Sequence, residues 1–289
     1  MPDRAQSTVR SFPSLSDGRL SLGDAFRKRN TCSVGCGHDG EVSELPGDAE
    51  DLLAEQRDFY RADAAQSDRW LSTLVDARND DPDAKTYRAG RQRVANHLST
   101  IGSLGQVLEI AAGTGRLAEL YLPLADSVVM IDPSPESLAL AAKRLQPSAT
   151  TDLELIEADI FHWDPGAQTF DTILFSAWLH HVPHGQFDRF WRTVQGLLAP
   201  GGTVIFDFLD ARVPSPGRVN IPEIPTDDYT FYAPVNGVSV RDLHGRRWRV
   251  VHNLWHPDDL ARRLNESGWK LTILGPGLLS NMLWATAHR

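Results

Sequence analysis

Val107-Leu-Glu-Ile-Ala-Ala-Gly-Thr-Gly-Arg116 decides how the rest of the 289-residue chain is read. A short apolar strand, Gln106–Ile110, runs into a turn carrying Gly113 and Gly115, and a helix is expected from Arg116. Glycines at such a turn let the backbone bend tightly and let a ligand approach the main chain. Alone the signal is weak, because Gly113-x-Gly115-x-x-Ala118 also satisfies the loose dinucleotide fingerprint.

Working outward, strands and helices alternate as they do around a parallel sheet. Ser127–Ile131 reads as a second strand, and Ser134 and Pro135 open a helix with Leu138, Ala141, Ala142 and Leu145 as its buried stripe. Leu153–Glu157 and Thr172–Phe175 read as strands three and four. A helix follows with Phe187, Phe190, Trp191, Val194, Leu197 and Leu198 on one face; it is expected to stop at Pro200-Gly-Gly202, before strand five at Thr203–Phe208. Residues 211–254 form an insertion rich in proline and aromatics, in which Arg246–Leu254 alternates like a strand. A helix from Pro257 to Gly268 precedes two late strands, Lys270–Leu274 and Leu283–Ala287. Their short connection requires an antiparallel pair, since parallel neighbours need a long crossover.

Toward the N-terminus, residues 51–100 show helical spacing broken at Asn79-Asp-Asp-Pro82, which predicts two or three helices forming a lid. Residues 1–50 are rich in Ser, Gly, Asp and Arg and are expected to be a flexible extension. Within them Cys32, Cys36 and His38 lie close together, but a zinc site needs a fourth ligand, so no metal is expected. The main domain is assigned to residues 101–289.

The charge around the glycine turn narrows the ligand. A dinucleotide would bring a pyrophosphate to the helix N-terminus. Instead, acids stand at three successive strand ends: Glu109, Asp132 and Asp159. That set suits S-adenosylmethionine, whose charges are a sulfonium, an ammonium and a carboxylate. Glu109 can face the cationic methionine end, Asp132 the ribose hydroxyls and Asp159 the adenine amino group.

At these residues the chain resembles the class I S-adenosylmethionine-dependent methyltransferases, over roughly residues 55–289. The family's first motif appears as Glu109-Ile-Ala111-Ala-Gly113-Thr-Gly115, with Ala111 in place of a glycine. Its second appears around Asp132-Pro133, its third as Ala158-Asp159-Ile160, and its post-strand-four motif as Ser176-Ala177-Trp178-Leu-His180-His181-Val-Pro183. The resemblance implies a Rossmann-like α/β fold: seven strands in order 3-2-1-4-5-7-6, strand seven antiparallel, with helices on both faces. It also implies a histidine at His181 that serves either as a base or as a buttress of its loop through a hydrogen bond, with His180 as its variable neighbour, and a lid at Phe59–Asp68, where Ser67 replaces the usual tyrosine. Tyr60, Trp178 and Tyr232 are the aromatic candidates for holding a small-molecule acceptor.

Composition excludes other classes. The formal charge is -9, and no segment outside the N-terminal tail concentrates the cations that neutralise phosphates. No apolar run approaches ~20 residues, so no membrane span is expected, and the simplest address is the cytoplasm, as monomer or homodimer. Two rival readings are an NAD(P)-dependent oxidoreductase, which leaves Glu109 and Asp159 unexplained, and a non-catalytic cofactor sensor, against which the intact motifs argue.

Overall fold

A computed structural model describes residues 46–145, 151–213, 218–219, 230–232 and 237–289. Two helices come first, α1 (Pro46–Val75) and α2 (Pro82–Ile101). Between them Asp76 and Asn79 each accept a backbone N–H two residues on, and Asp81 caps α2 by accepting from Asp83 N. Pro82 then occupies the first turn of α2, where a missing N–H costs nothing.

The main sheet is built from β1 (Gly105–Ile110), β2 (Ala125–Asp132), β3 (Asp152–Glu157), β4 (Phe170–Phe175), β5 (Leu198–Leu209), β10 (Lys270–Pro276) and β11 (Met282–His288). Its order is β10-β11-β5-β4-β1-β2-β3, with β11 antiparallel to both neighbours and the other pairs parallel. Counted within this sheet alone, that is the expected 3-2-1-4-5-7-6. Parallel strands are buried on both faces, and their alternate residues divide accordingly. Leu108, Ile110, Ile173, Phe175 and Phe206 pack with α5 (Phe187–Leu197) and α6 (Pro257–Glu266). Val107, Val128, Met130, Leu174 and Ile205 pack with α2, α3 (Ala118–Tyr121) and α4 (Pro135–Leu145). Trp191 is buried in the first of these cores.

Two boundaries differ from expectation. No long helix starts at Arg116; α3 spans four residues and gives way to a 3-10 turn, Leu122–Leu124, centred on Pro123. Proline has no N–H to continue an α-helix and clashes with the preceding turn. Likewise α5 ends at Leu197 and β5 is already extended at Leu198; Pro200 keeps Ala199 off helical backbone, so the helix ends before it.

A second, antiparallel sheet has the order β6-β7-β8-β9: β6 (Arg218–Val219), β7 (Thr230–Tyr232), β8 (Val238–Leu243) and β9 (Arg246–Val251). Its β8–β9 hairpin turns through His244 and Gly245, both at positive φ, the two-residue geometry that matches strand twist. Phe59 of α1 is buried against Leu243, Trp248 and Val250, so α1 joins this sheet to the main one. Among the described residues no helix is long and apolar enough to cross a membrane.

Candidate active site

Because β3, β2, β1 and β4 lie side by side and run the same way, their carboxyl ends open on one edge. There a cavity of about 280 Å³ is lined by the loops after those four strands and by α1. Glu109, Ala111, Gly113, Asp132, Pro133, Ala158, Asp159, Ile160, Ser176, Ala177, Trp178, His181 and Tyr60 all border it.

The glycine loop divides two tasks. A Cβ placed on Gly113 would meet nothing within 4 Å, so this stretch of backbone is open to the cavity. Gly115 is different: it does not border the cavity. A Cβ there would lie 3.1 Å from Ala141 Cβ and Leu145 Cδ1, and its φ is +76°, so its bareness lets α4 pack against the loop.

Each strand-end acid has a distinct setting. Asp132 accepts Gly113 N–H on one oxygen and Ser134 N–H on the other, both at 2.8 Å. Burial nevertheless lifts its pKa to about 6. Glu109 is 2% exposed; burial pushes its carboxyl up to about 8, although the Tyr121 hydroxyl donates to it at 2.6 Å. Asp159 accepts Phe161 N–H at 3.0 Å and pairs with Arg57 of α1 at 2.7 Å.

Helix α1 touches all three loops from one face. Arg57 reaches Asp159, Arg61 donates to Pro133 O at 2.8 Å, and Asp68 takes Thr114 Oγ1 at 2.8 Å together with Arg116 and Arg144. Arg57, Arg61 and Asp68 are spaced four and seven residues apart, which places them along one side of a helix.

The post-β4 loop is fixed from β5. Asp207 accepts Ser176 Oγ at 2.5 Å and Ala177 N–H at 2.7 Å, and this holds Ala177 at φ +52°. His181 then sits in a 3-10 turn with both ring nitrogens engaged. Nδ1 lies 2.6 Å from Val251 O and Nε2 2.5 Å from Tyr60 Oη. A carbonyl can only accept, so Nδ1 carries the hydrogen and Nε2 accepts from the tyrosine. Burial, with Arg241 and His252 nearby, holds His181 well below the ordinary histidine range. Arg241 also donates to Tyr60 Oη at 3.2 Å.

One other candidate lies away from the cavity. His180, the expected partner of His181, is buried and does not border it, since adjacent residues in a 3-10 turn point in different directions. The Tyr232 side chain lies outside the described residues, as do Cys32, Cys36 and His38. Among the described residues no group of three or more metal-ligating side chains occurs. Sequence reasoning missed Arg57, Asp63, Tyr121, Asp207 and Arg241. Only Asp207 carried a visible signal, a carboxylate inside an otherwise apolar strand.

The sheet order and a cavity at the strands' carboxyl ends define a Rossmann-like α/β protein, in which ligands bind at that edge. Residues 107–202 match the model of the methyltransferase domain family. An "uncharacterized methyltransferase" of Bacillus cytotoxicus is 34% identical over 104 residues, covering 36% of this chain and 47% of the relative. Another from Geobacillus kaustophilus is 31% identical over 120 residues, covering 41% and 53%. The chain thus spans about half the length of these curated relatives. A solved structure described as a DhpI-SAM-HEP complex is similar at TM-score 0.61 and 27% identity, over 82% of this chain and 98% of that one. By these matches, residues 107–202 are similar to a methyltransferase domain, and the sheet order places them in a fold shared with a structure solved with S-adenosylmethionine.

Proposed function

We propose that the chain binds S-adenosylmethionine in this cavity and transfers its methyl group to an oxygen or nitrogen of a small molecule. The observation that carries the cofactor reading is the set of carboxyls Glu109, Asp132 and Asp159 around the open backbone at Gly113. Asp132 holds two backbone N–H groups and keeps acceptor capacity for ribose hydroxyls. Pro133 flanks it, and Ala158 and Ile160 flank Asp159 where the adenine would lie. Ala111 and Gly113 offer main chain to the methionine end, and Glu109 offers a carboxyl that gains from a cation. When bound, the cofactor supplies an electrophilic methyl on a sulfonium, so holding the acceptor in line can provide much of the catalysis.

The reading of His181 shifts from base to support. Its Nε2 already accepts from Tyr60, and its Nδ1–H donates to Val251 O, so no ring nitrogen is left for an acceptor. His181 instead orients Tyr60, which borders the cavity beside Trp178 and Ser176. A small acceptor is supported by the cavity's enclosure under α1 and by the net charge of -9, which disfavours nucleic acid. The motif resemblance at Ser176–Pro183 extends the reading to specialised metabolism. Calorimetric titration with S-adenosylhomocysteine and, separately, NADH tests the cofactor: micromolar uptake of the first alone is expected. Failure to bind it refutes the assignment.

A further inference from the structure

Among the described residues, Asp63 is the acid on the cavity wall that has a fully enclosed oxygen with no hydrogen-bond partner. It is 6% exposed, and that oxygen is its Oδ1. The other three acids there are supplied: Glu109 by Tyr121, Asp132 by Gly113 and Ser134, and Asp159 by Phe161 and Arg57. A buried carboxylate without donors is costly, and such groups persist where a ligand completes them. Asp63 stands three residues after Tyr60 and four before Ser67 on α1, so all three share one helix face, and all three border the cavity. The same cavity also carries apolar lining from Leu53, Leu71, Leu278, Leu279 and Met282.

We propose that Asp63 anchors an acceptor subsite that takes an amine, its carboxylate receiving an N–H of the nitrogen to be methylated. The proposal rests on the cofactor reading above and names the acceptor class for the same cavity. A desolvated carboxylate is completed far better by an ammonium than by a neutral hydroxyl, because the cation neutralises the buried charge as well as donating to it. Arg241 is the cation whose charge reaches Asp63. Arg241 of β8 lies over the Phe59 and Tyr60 rings and donates to Tyr60 Oη. Its positive charge lowers the Asp63 pKa, but burial dominates and leaves it raised to about 7. The remaining titratable groups on the wall are Arg57 and Tyr60 on the same helix, Tyr87 of α2, Glu109, Arg116, Asp132, Asp159 and His181. None of them is hydrogen-bonded to Asp63 among the contacts described.

The step balances. The ammonium gives one proton to the Asp63 carboxylate. The freed lone pair then forms the N–CH3 bond as the S–CH3 bond breaks, its electron pair staying on sulfur as a neutral thioether. The nitrogen finishes as a methylated ammonium and Asp63 as a carboxylic acid, which releases its proton to solvent when the product leaves.

The test uses the full chain saturated with S-adenosylhomocysteine, followed by calorimetric titration with 2-phenylethylamine and with its neutral analogue 2-phenylethanol, each in two buffers of different ionisation heat. The expected result is that the amine binds and the alcohol binds at least tenfold more weakly. At pH 7 the amine should displace about half a proton from Asp63, and almost none at pH 9, where the group is already ionised. Asp63→Asn should bind S-adenosylhomocysteine within about threefold of wild type while losing roughly ten- to a hundredfold in amine affinity and all of the proton release. The wild-type proton count stands even if the variant folds poorly. No amine binding, equal binding of the alcohol, or an unchanged Asp63→Asn affinity overturns the proposal and leaves the cofactor reading standing. A collapse of S-adenosylhomocysteine binding in Asp63→Asn would overturn it too, by giving the carboxylate to the cofactor. Failure of wild type to take up S-adenosylhomocysteine would instead strike the cofactor reading.

Discussion

Replacing Glu109 by Gln should make the ligand-free protein more stable and the cofactor site worse. Glu109 is fully enclosed at the end of β1, and its ordinary pKa of 4.5 is pushed to about 8 by burial, against the opposing Tyr121 hydrogen bond. Between those two values the folded chain holds a proton that the unfolded chain has released. Stability therefore falls as pH rises through that window and levels off above it. At ~1.4 kcal/mol per pH unit, the carboxyl withdraws roughly 3 kcal/mol between pH 4.5 and 7, and roughly 5 kcal/mol by pH 8 and above. Glutamine stays neutral throughout and can still accept from Tyr121. Urea denaturation should thus find Glu109→Gln close to wild type near pH 4.5, more stable at pH 7, and most so at pH 9. Asp63, Asp132 and Asp207 shift in the same sense, but they are common to both proteins and largely cancel in the difference. The same variant should bind S-adenosylhomocysteine about ten- to a hundredfold more weakly at pH 7, since it lacks a carboxylate for the ligand's ammonium. It should also lose the near-unit proton release that accompanies binding to wild type. A stability difference that is flat from pH 5 to 9, or a variant less stable at pH 9 than wild type, would refute the account of Glu109.

Asp132→Ala should weaken S-adenosylhomocysteine binding by about 10²- to 10⁴-fold in calorimetry, as two hydrogen bonds to a charged acceptor disappear together. Gly115→Ala should cost about 1–3 kcal/mol in denaturant unfolding, because a Cβ at φ +76° meets α4 at 3.1 Å. His181 is held neutral by burial, well below its ordinary 6.5, so the unfolded chain binds the extra proton and stability contributed by the neutral form is lost as pH falls below 6.5. His181→Gln should therefore lose less stability than wild type between pH 7.5 and 5, measured by the same denaturation series, with S-adenosylhomocysteine affinity at pH 7.5 changed less than threefold.

The strand ladder was readable because its cause is local. Short runs rich in β-branched residues such as Val128–Ile131, bounded by turn signals, read as strands buried on both faces, and a short connection at Pro276-Gly277 forces β10 and β11 to run antiparallel. Glu109, Asp132 and Asp159 were visible because parallel neighbours bring equivalent strand ends to one edge. What the sequence could not settle were the contacts made across long separations. Arg57 meets Asp159 across 102 positions, Tyr60 meets His181 across 121, and Gln56 accepts from Val251 N–H across 195. These depend on where α1 crosses the sheet edge, which is set by burial of Phe59 against the second sheet and not by any pattern within α1. For the same reason the hydrogen-bond partners of His181, Val251 O and Tyr60 Oη, were not legible in the sequence. Hydrophobic periodicity states which side of an element is buried, whereas which buried group receives a particular hydrogen bond is fixed only when distant elements close around it.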